Sequence, residues 1–373
     1  MANESLDVSP NLDTQIRIWA EELGFSALGV SDANLSESAP FLQEWLLKGW
    51  HGDMEFMSRH AQLRQEPSAL FPSVKRVISV RMDYWPQNAA PAETVLADRE
   101  TGYIARYALG RDYHRTMRRR LQILADRITE QVGPFRYRAF VDSAPVMEKP
   151  LAQSAGLGWI GKHTNLIDPV HGSWFFLGEL YTDLPLPISP PSHDHCGTCQ
   201  RCASACPTGA LDTPYQLDAR KCIAYLTIEH KSAIPEELRG AVGNRVFGCD
   251  DCQLVCPHNR DAPYGEDLFH ARHGLDAPLL TALFAWTEKE FDYHTQGSAI
   301  RRLGYERWMR NVAVALGNSK PGTNKIEALS KRLGTISDMV DEHIVWAMEK
   351  QRDGLSAEDH ALWDATARAP TDS

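Results

Sequence analysis

Apolar residues recur at helical spacing in LDTQIRIWAEELGFSALGV, residues 12–30, at Ile16, Ile18, Trp19 and Leu23. This predicts an amphipathic helix that stops at Gly24 and passes into a strand. A second helical stretch, 41–50, ends at Gly49. VKRVISV at 74–80 reads as a buried strand, and 112–131 as a long basic helix. RYRAFVD at 136–142 reads as a strand closing on Asp142, and WFFLGELYT at 174–182 as another. Helices alternate with strands, so 1–185 is expected to form one α/β or α+β domain. PLPISPP, 185–191, reads as a linker. Beyond the last cysteine the pattern turns helical, with segments near 277–292, 304–317, 324–334 and 335–350. These suit stacked helical hairpins of the HEAT type. The last residues, ARAPTDS, are expected to fray.

A chain of 373 residues carries two or three domains and buries a substantial core. Its 43% hydrophobic and 24% charged residues exclude a disordered chain, a collagen repeat and a coiled coil. No apolar run is long enough for a membrane helix. MANESLDVSPNLDTQ has neither the basic nor the apolar part of an export signal, and no twin arginine, so the cytoplasm is the expected compartment.

The net charge of −10 argues against a protein coated in nucleic acid. The charge is uneven, however. Residues 101–138 hold nine Arg or Lys against three acids, and 301–332 hold eight against two. Each window is either a solvated helical face or a phosphate-binding surface.

All eight cysteines fall between Cys196 and Cys256. CGTCQRCASACP reads C-x2-C-x2-C-x3-C-P, the bacterial ferredoxin run. GCDDCQLVCPHN supplies C-x2-C-x3-C-P, and Cys222 completes the set. Two cubanes need eight thiolates, and the cysteine before each proline crosses to the other cluster. The spacing therefore assigns one 4Fe–4S cluster to Cys196, Cys199, Cys202 and Cys256. The second goes to Cys206, Cys222, Cys249 and Cys252. Paired CxxC steps also fit zinc, but the doubled C-x3-C-P endings do not ask for it. His193, His195 and His258 flank complete sulfur sets and read as polar neighbours. Two such clusters carry single electrons, so a second redox centre or a partner is required.

Asp142 closes an apolar strand before SAPV. There an acid is either a helix cap or, facing an apolar cavity, a proton donor with a raised pKa. In LGWIGKHTNLI, Gly156, Gly158 and Gly161 allow close backbone approach to a large ligand. They do not match the dinucleotide fingerprint, and there is no phosphate-binding P-loop or nucleophile elbow.

The order FVDSAPVMEKPLAQSAGLGWIGKHTNLI, SWFFLGEL, CGTCQRCASACPTGAL, KCIAYLTIEH, GCDDCQLVCPHN resembles the epoxyqueuosine reductases, cobalamin-dependent enzymes of tRNA modification. The likeness extends to AQLRQEPSALFPSVKRVISV and LGRDYHRTMRRRL and covers nearly the whole chain. It implies an α+β multidomain protein. Residues 1–185 would be a nitroreductase-like α/β cobalamin-binding domain, 186–262 a ferredoxin-like domain with two 4Fe–4S clusters, and 263–373 a HEAT-like helical region gripping tRNA. Asp142 matches the family's general acid. Arg64 matches an arginine expected near cobalamin. Lys162, His163, Leu166 and Leu177 match corrin-contacting segments, and Cys249 and Asp250 sit where the second cluster meets the corrin. Some relatives carry a cysteine near the cobalt; Ala105 stands at the equivalent position here, so no thiolate acts there. His163 stands where asparagine is frequent.

The resemblance further implies reduction of epoxyqueuosine to queuosine at the wobble position of a tRNA with a GUN anticodon. Electrons would come from flavodoxin or ferredoxin through the clusters to cobalt, while Asp142 protonates the epoxide oxygen. The flipped base would enter a pocket while the basic windows hold phosphates. A monomer is the default expectation. The competing readings are a reductive dehalogenase of small organohalides and a plain ferredoxin-type electron carrier.

Overall fold

A computed structural model describes residues 11–358. The frayed end expected at ARAPTDS lies outside them. The chain divides into two compact units that interleave in sequence. The first holds the chain up to Gln87, Arg111–Arg220 and Asp251–His270; the second holds Asn88–Gly110, Lys221–Asp250 and the chain from Ala271. The boundaries expected at 185/186 and 262/263 therefore do not mark them. Pairing across long sequence separations is the reason: Tyr103–Ile104 runs parallel to Arg245–Phe247 inside the second unit.

The first unit is built on a four-stranded sheet. Its strands are β1 (Ala27–Ser31), β2 (Arg76–Asp83), β3 (Tyr137–Phe140) and β4 (Phe175–Thr182), in the order β1-β2-β4-β3. Every neighbouring pair is antiparallel, which makes the unit α+β rather than a parallel α/β sheet. β4 is covered on both faces. Against one face lies the helix Tyr113–Val132. A Cβ on Gly178 would stand 3.2 Å from both Leu121 Cδ1 and Met117 Cε, so glycine lets this helix approach closely. On the other face Tyr181 joins Val77, Phe140, Val146 and Leu151 in one apolar cluster. Leu151 comes from the helix Glu148–Ser154.

Several sequence expectations shift. In the first helix, Leu12–Glu22, Ile16 is buried but Ile18 is 44% exposed, because two helical positions turn a side chain to the far face. β3 ends at Phe140 rather than Asp142, since the chain bends at Val141–Ser143, where Ser143 N–H donates to Val141 O at 2.6 Å. PLPISPP is no free linker. Leu184 and Leu186 are fully buried, and Ser189 bonds Val30 through both its N–H and its Oγ, at 2.8 and 3.0 Å. The glycines of LGWIGKH approach the chain itself: a Cβ on Gly156 would fall 2.2 Å from Pro190 O, and one on Gly158 2.3 Å from Ile167 O.

In the second unit, Asp338–Asp353 packs on Tyr305–Gly317 and Thr323–Ser330. The helix expected over 277–292 is broken into Leu280–Ala285 and Glu288–His294, because Thr287 and Glu290 form a capping box that starts a new helix. Four of the eight basic residues in the second window are spent inside this unit. Arg310 is fully buried and donates to the carbonyls of His230, Ser232 and Leu226 at 2.8, 2.6 and 2.7 Å. Arg307 donates to Ile228 O, Arg332 to Ala285 O, and Lys325 to Glu100. These residues act as internal braces, so the phosphate-surface reading does not hold for them.

Burial, with Arg307 nearby, brings the Arg310 pKa down to about 10, which leaves it charged at neutral pH. Arg310→Met keeps the volume but strands the buried Leu226 carbonyl and removes the donor from two part-buried ones. At about 1–3 kcal/mol for a buried group left unpaired and less for the part-buried pair, it is expected to lower stability by about 2–4 kcal/mol, seen as a drop in the urea midpoint. A midpoint shift worth less than about 1 kcal/mol would contradict the bracing role.

Candidate active site and cysteine centre

Asp112 sits at the N-cap of the long helix and accepts from His114 N–H at 3.0 Å. The cap fixes the next two side chains. The Tyr113 ring lies flat on Phe176 of β4, with centroids 3.8 Å apart and planes 7° from parallel. The buried His114 imidazole bridges two carboxylates, with Nδ1 2.6 Å from Asp112 Oδ1 and Nε2 2.8 Å from Asp142 Oδ2. Tyr113 OH donates to the same Asp142 oxygen at 2.8 Å. Asp142 itself is exposed, at 54%. It does not cap a helix, since Met147 holds the N-cap of the helix that follows; Tyr113 and His114 hold one of its oxygens. Burial pulls the His114 pKa down, but the two hydrogen-bonded carboxylates outweigh it and hold it above the ordinary histidine value.

Tyr113 and His114 were legible only as a capped helix start. Two further acids were missed as well: half-buried Glu148 and fully buried Glu179. The available signal for Glu179 was a carboxylate inside the otherwise apolar run FFLGELYT. Arg64 is buried, and its Nη1 donates to Val146 O at 3.3 Å, which places it against the loop that follows Asp142. Its Nε has no partner.

The first unit also brings four cysteines together. Cys196, Cys199, Cys202 and Cys256 line one cavity of about 50 Å³ with Lys162, His163, His195 and His258. Trp159 Nε1–H donates to Cys196 Sγ at 3.5 Å. Lys162 Nζ donates to the carbonyls of Gly197 and Cys199 at 2.6 and 3.0 Å, clamping the loop. The buried His163 accepts from Asn165 N–H at Nδ1, 3.2 Å, and its Nε2 has no partner. Burial holds its pKa at about 4, so the ring is neutral and Nε2 carries the hydrogen. The side chains of Lys162 and His163 thus serve the cysteine centre. Leu166 and half-buried Leu177 share an apolar cluster with Leu157 and Phe175.

Cys206 and Cys252 also belong to the first unit; Cys222 and Cys249 belong to the second. There Asp250 is buried and accepts from Tyr103 OH at 2.7 Å and from Arg106 N–H at 2.8 Å. Its carboxylate anchors the turn after Cys249. Ala105 is buried beside this turn: a Cβ on Gly248 would fall 2.6 Å from the Ala105 Cβ.

A covered antiparallel sheet in one unit with a cavity lined by four cysteines fits the class of iron–sulfur oxidoreductases. Residues 195–259 match the family model of the 4Fe-4S double cluster binding domain, and 64–143 match that described as epoxyqueuosine reductase QueG, DUF1730. The chain is 54% identical over 341 residues to the epoxyqueuosine reductase of Pseudomonas aeruginosa, covering 91% of this chain and 94% of that one. It is 51% identical over 350 residues to that of Escherichia coli, covering 94% and 92%. The chain belongs to the epoxyqueuosine reductase family. Its fold matches a crystal structure of epoxyqueuosine reductase with an epoxyqueuosine-modified tRNA stem loop (TM-score 0.83, 26% identity, 97% of this chain and 95% of that one). It also matches the Bacillus subtilis enzyme with its catalytic aspartate loop swung out of the active site (TM-score 0.81, 26% identity, 97% and 95%). Among the described residues no helix is long and apolar enough to cross a membrane.

Because its pKa is raised in the folded protein, His114 stabilises the fold fully below about pH 6.5, its unfolded value. That contribution is lost as pH rises through the raised folded value. In thermal unfolding across pH, the stability gap between wild type and His114→Gln is therefore expected to narrow on the alkaline side. A gap independent of pH would show that the charged imidazole does not bridge the two acids.

Proposed function

We propose that this chain reduces epoxyqueuosine to queuosine at the wobble position of a tRNA with a GUN anticodon. The reaction takes up two electrons and two protons and releases water. The observation that carries this reading is the exposed Asp142 carboxyl held by Tyr113 and His114, in one unit with the four-cysteine cavity. A proton donor to an outside substrate must be accessible and oriented, and Asp142 is both. Tyr113 and His114 hold its carboxyl in place and help stabilise the charge left when the proton departs.

The cysteine spacing supports two clusters, one on Cys196, Cys199, Cys202 and Cys256 and the other on Cys206, Cys222, Cys249 and Cys252. His163 Nε2–H and Trp159 Nε1–H suit N–H···S bonding in the first, which tunes a cluster's potential. For cobalamin, the residues present fit: the unpartnered Arg64 Nε offers a buried donor, and half-buried Leu177 an apolar surface. Arg64 and Asp142 would contact it through their side chains, and Lys162, His163, Leu166 and Leu177 through their main chain. Cys249 and Asp250 complete the proposed set. Bound there, cobalamin supplies the reducing chemistry at the epoxide. Electrons would arrive from flavodoxin or ferredoxin, with the protein a cytoplasmic monomer.

Arg111, Arg115, Arg118 and Arg119 lie exposed on or just before the long helix. Arg120 and Arg127 are taken up by Glu266 and Glu22. The first basic window therefore keeps a phosphate-ready stripe.

Two measurements test this reading. Asp142→Asn is expected to load cobalamin and clusters normally but to lose about 10²–10⁴-fold in turnover of an epoxyqueuosine stem-loop, read by nucleoside mass spectrometry. Full activity in that variant would remove Asp142 as the acid. Reversing Arg118 and Arg119 to glutamate should weaken tRNA binding and flatten its salt dependence by about one to two units of slope. An unchanged slope returns the stripe to an ordinary solvated face.

A further inference from the structure

Asp142 adopts the left-handed backbone region, φ 48°. A residue other than glycine stays there only when its surroundings hold it. Its N–H donates to Glu148 Oε1 at 2.5 Å. Glu148 stands at the start of the helix Glu148–Ser154, so a side chain from a fixed element grips the bend that presents the proton donor. Arg64 pins the same loop further on, through Val146 O.

Behind Glu148 lies Glu179. It is fully buried in β4, with Phe140 and Ser79 beside it in register. Neither of its oxygens finds a donor, and the carboxyl it faces is that of Glu148. Two facing carboxyls with no donor between them are incompatible when both are ionised. They become compatible when one carries a proton and bonds the other.

Resting on the reading of Asp142 as proton donor, and deepening it, we propose that Glu148 and Glu179 share one proton and that Glu148, braced by this pair, is a positioning residue for Asp142. With one proton between them, Glu148 keeps enough negative charge to hold the Asp142 N–H, and the Asp142 carboxyl stays on Tyr113 and His114. A second proton would weaken Oε1 as an acceptor. Loss of the shared proton would place two negative charges beneath Asp142.

Burial, then the charge of Asp142, pushes the Glu148 pKa up to about 7, and burial with Glu148 pushes Glu179 well above the carboxylate range. Lys149 opposes this on Glu148, and Arg64 faces both Glu148 and Asp142. Tyr181, raised by burial and by both glutamates, stays neutral. His114 bonds Asp142 on the loop's other side.

The test compares wild type with E148A, E148Q and E179Q. Three readouts are taken: the infrared C=O band of a buried protonated carboxyl, amide hydrogen exchange over residues 141–147, and kcat and KM for the epoxyqueuosine stem-loop across pH. The band is expected in wild type at neutral pH and absent in E179Q. Exchange over 141–147 should accelerate about tenfold in E148A but not in E148Q, whose amide oxygen still accepts the Asp142 N–H. Turnover should fall about 10²-fold in E148A at unchanged KM, recover in large part in E148Q, and shift its pH profile in E179Q. A wild type without the band overturns the shared proton. E148A with wild-type exchange and pH profile, or E148Q as impaired as E148A, overturns the positioning role. If wild type leaves the stem-loop untouched while band and exchange behave as stated, the substrate reading fails and the brace stands.

Discussion

Strand β4 constrains the first unit through the alternation of its side chains. Phe176 and Gly178 face the long helix, while Leu177, Glu179 and Tyr181 face the other way. Phe176 fixes Tyr113 by stacking, and Gly178 sets how closely the helix lies. The helix start is thereby fixed, and with it the donors that hold Asp142. On the opposite face, the register that sets Phe140 beside Glu179 brings the end of β3 over a buried acid. A one-residue slip of β4 would exchange these faces and dismantle both halves of the site.

The elements were largely legible, because amphipathic helices and buried strands leave their period in the chain. What failed were positions where tertiary contacts override period. Ile18 is apolar yet exposed. PLPISPP has linker composition, yet Ser189 lies along β1. The helix over 277–292 kept its apolar spacing through Trp286 and Thr287, but the capping box at Thr287 and Glu290 satisfies the backbone better as a fresh start. The compact units interleave in sequence for a related reason. The pairing of Tyr103–Ile104 with Arg245–Phe247 depends on chain separated by some 140 residues, and local composition carries no trace of it.

The site was legible in part. The cysteine centre announced itself because metal clusters demand strict spacing, and four of those cysteines meet in one cavity. Asp142 stood out at a strand end, though its environment did not: the donors that hold its carboxyl lie 28 and 29 residues earlier in the chain. Tyr113 and His114 were hidden because a DYH string at a helix start has an ordinary capping explanation. Glu148 was hidden for the same reason, since an acid in a first helical turn is favoured by the dipole alone. Lys162 and His163 were expected in a corrin-contacting segment, and both side chains turn to the cysteine loop.

The arrangement separates two demands that one carboxyl cannot meet alone. A proton donor for a nucleotide base must be reachable from solvent, and an exposed acid in bulk water is ionised at neutral pH and free to rotate. In the proposed reaction the reachable group is Asp142, and its orientation comes from Tyr113 and His114 on one side and Glu148 on the other. The proton held back from solvent lies one layer deeper, where burial makes full ionisation of Glu148 and Glu179 unfavourable. His114 then has a defined electrostatic task. Its imidazole, kept charged to higher pH than usual by Asp112 and Asp142, offsets the concentration of acids around the loop. Without it, the Asp112, Asp142 and Glu148 carboxyls would repel one another across the bend and work against the grip of Glu148 on the Asp142 N–H.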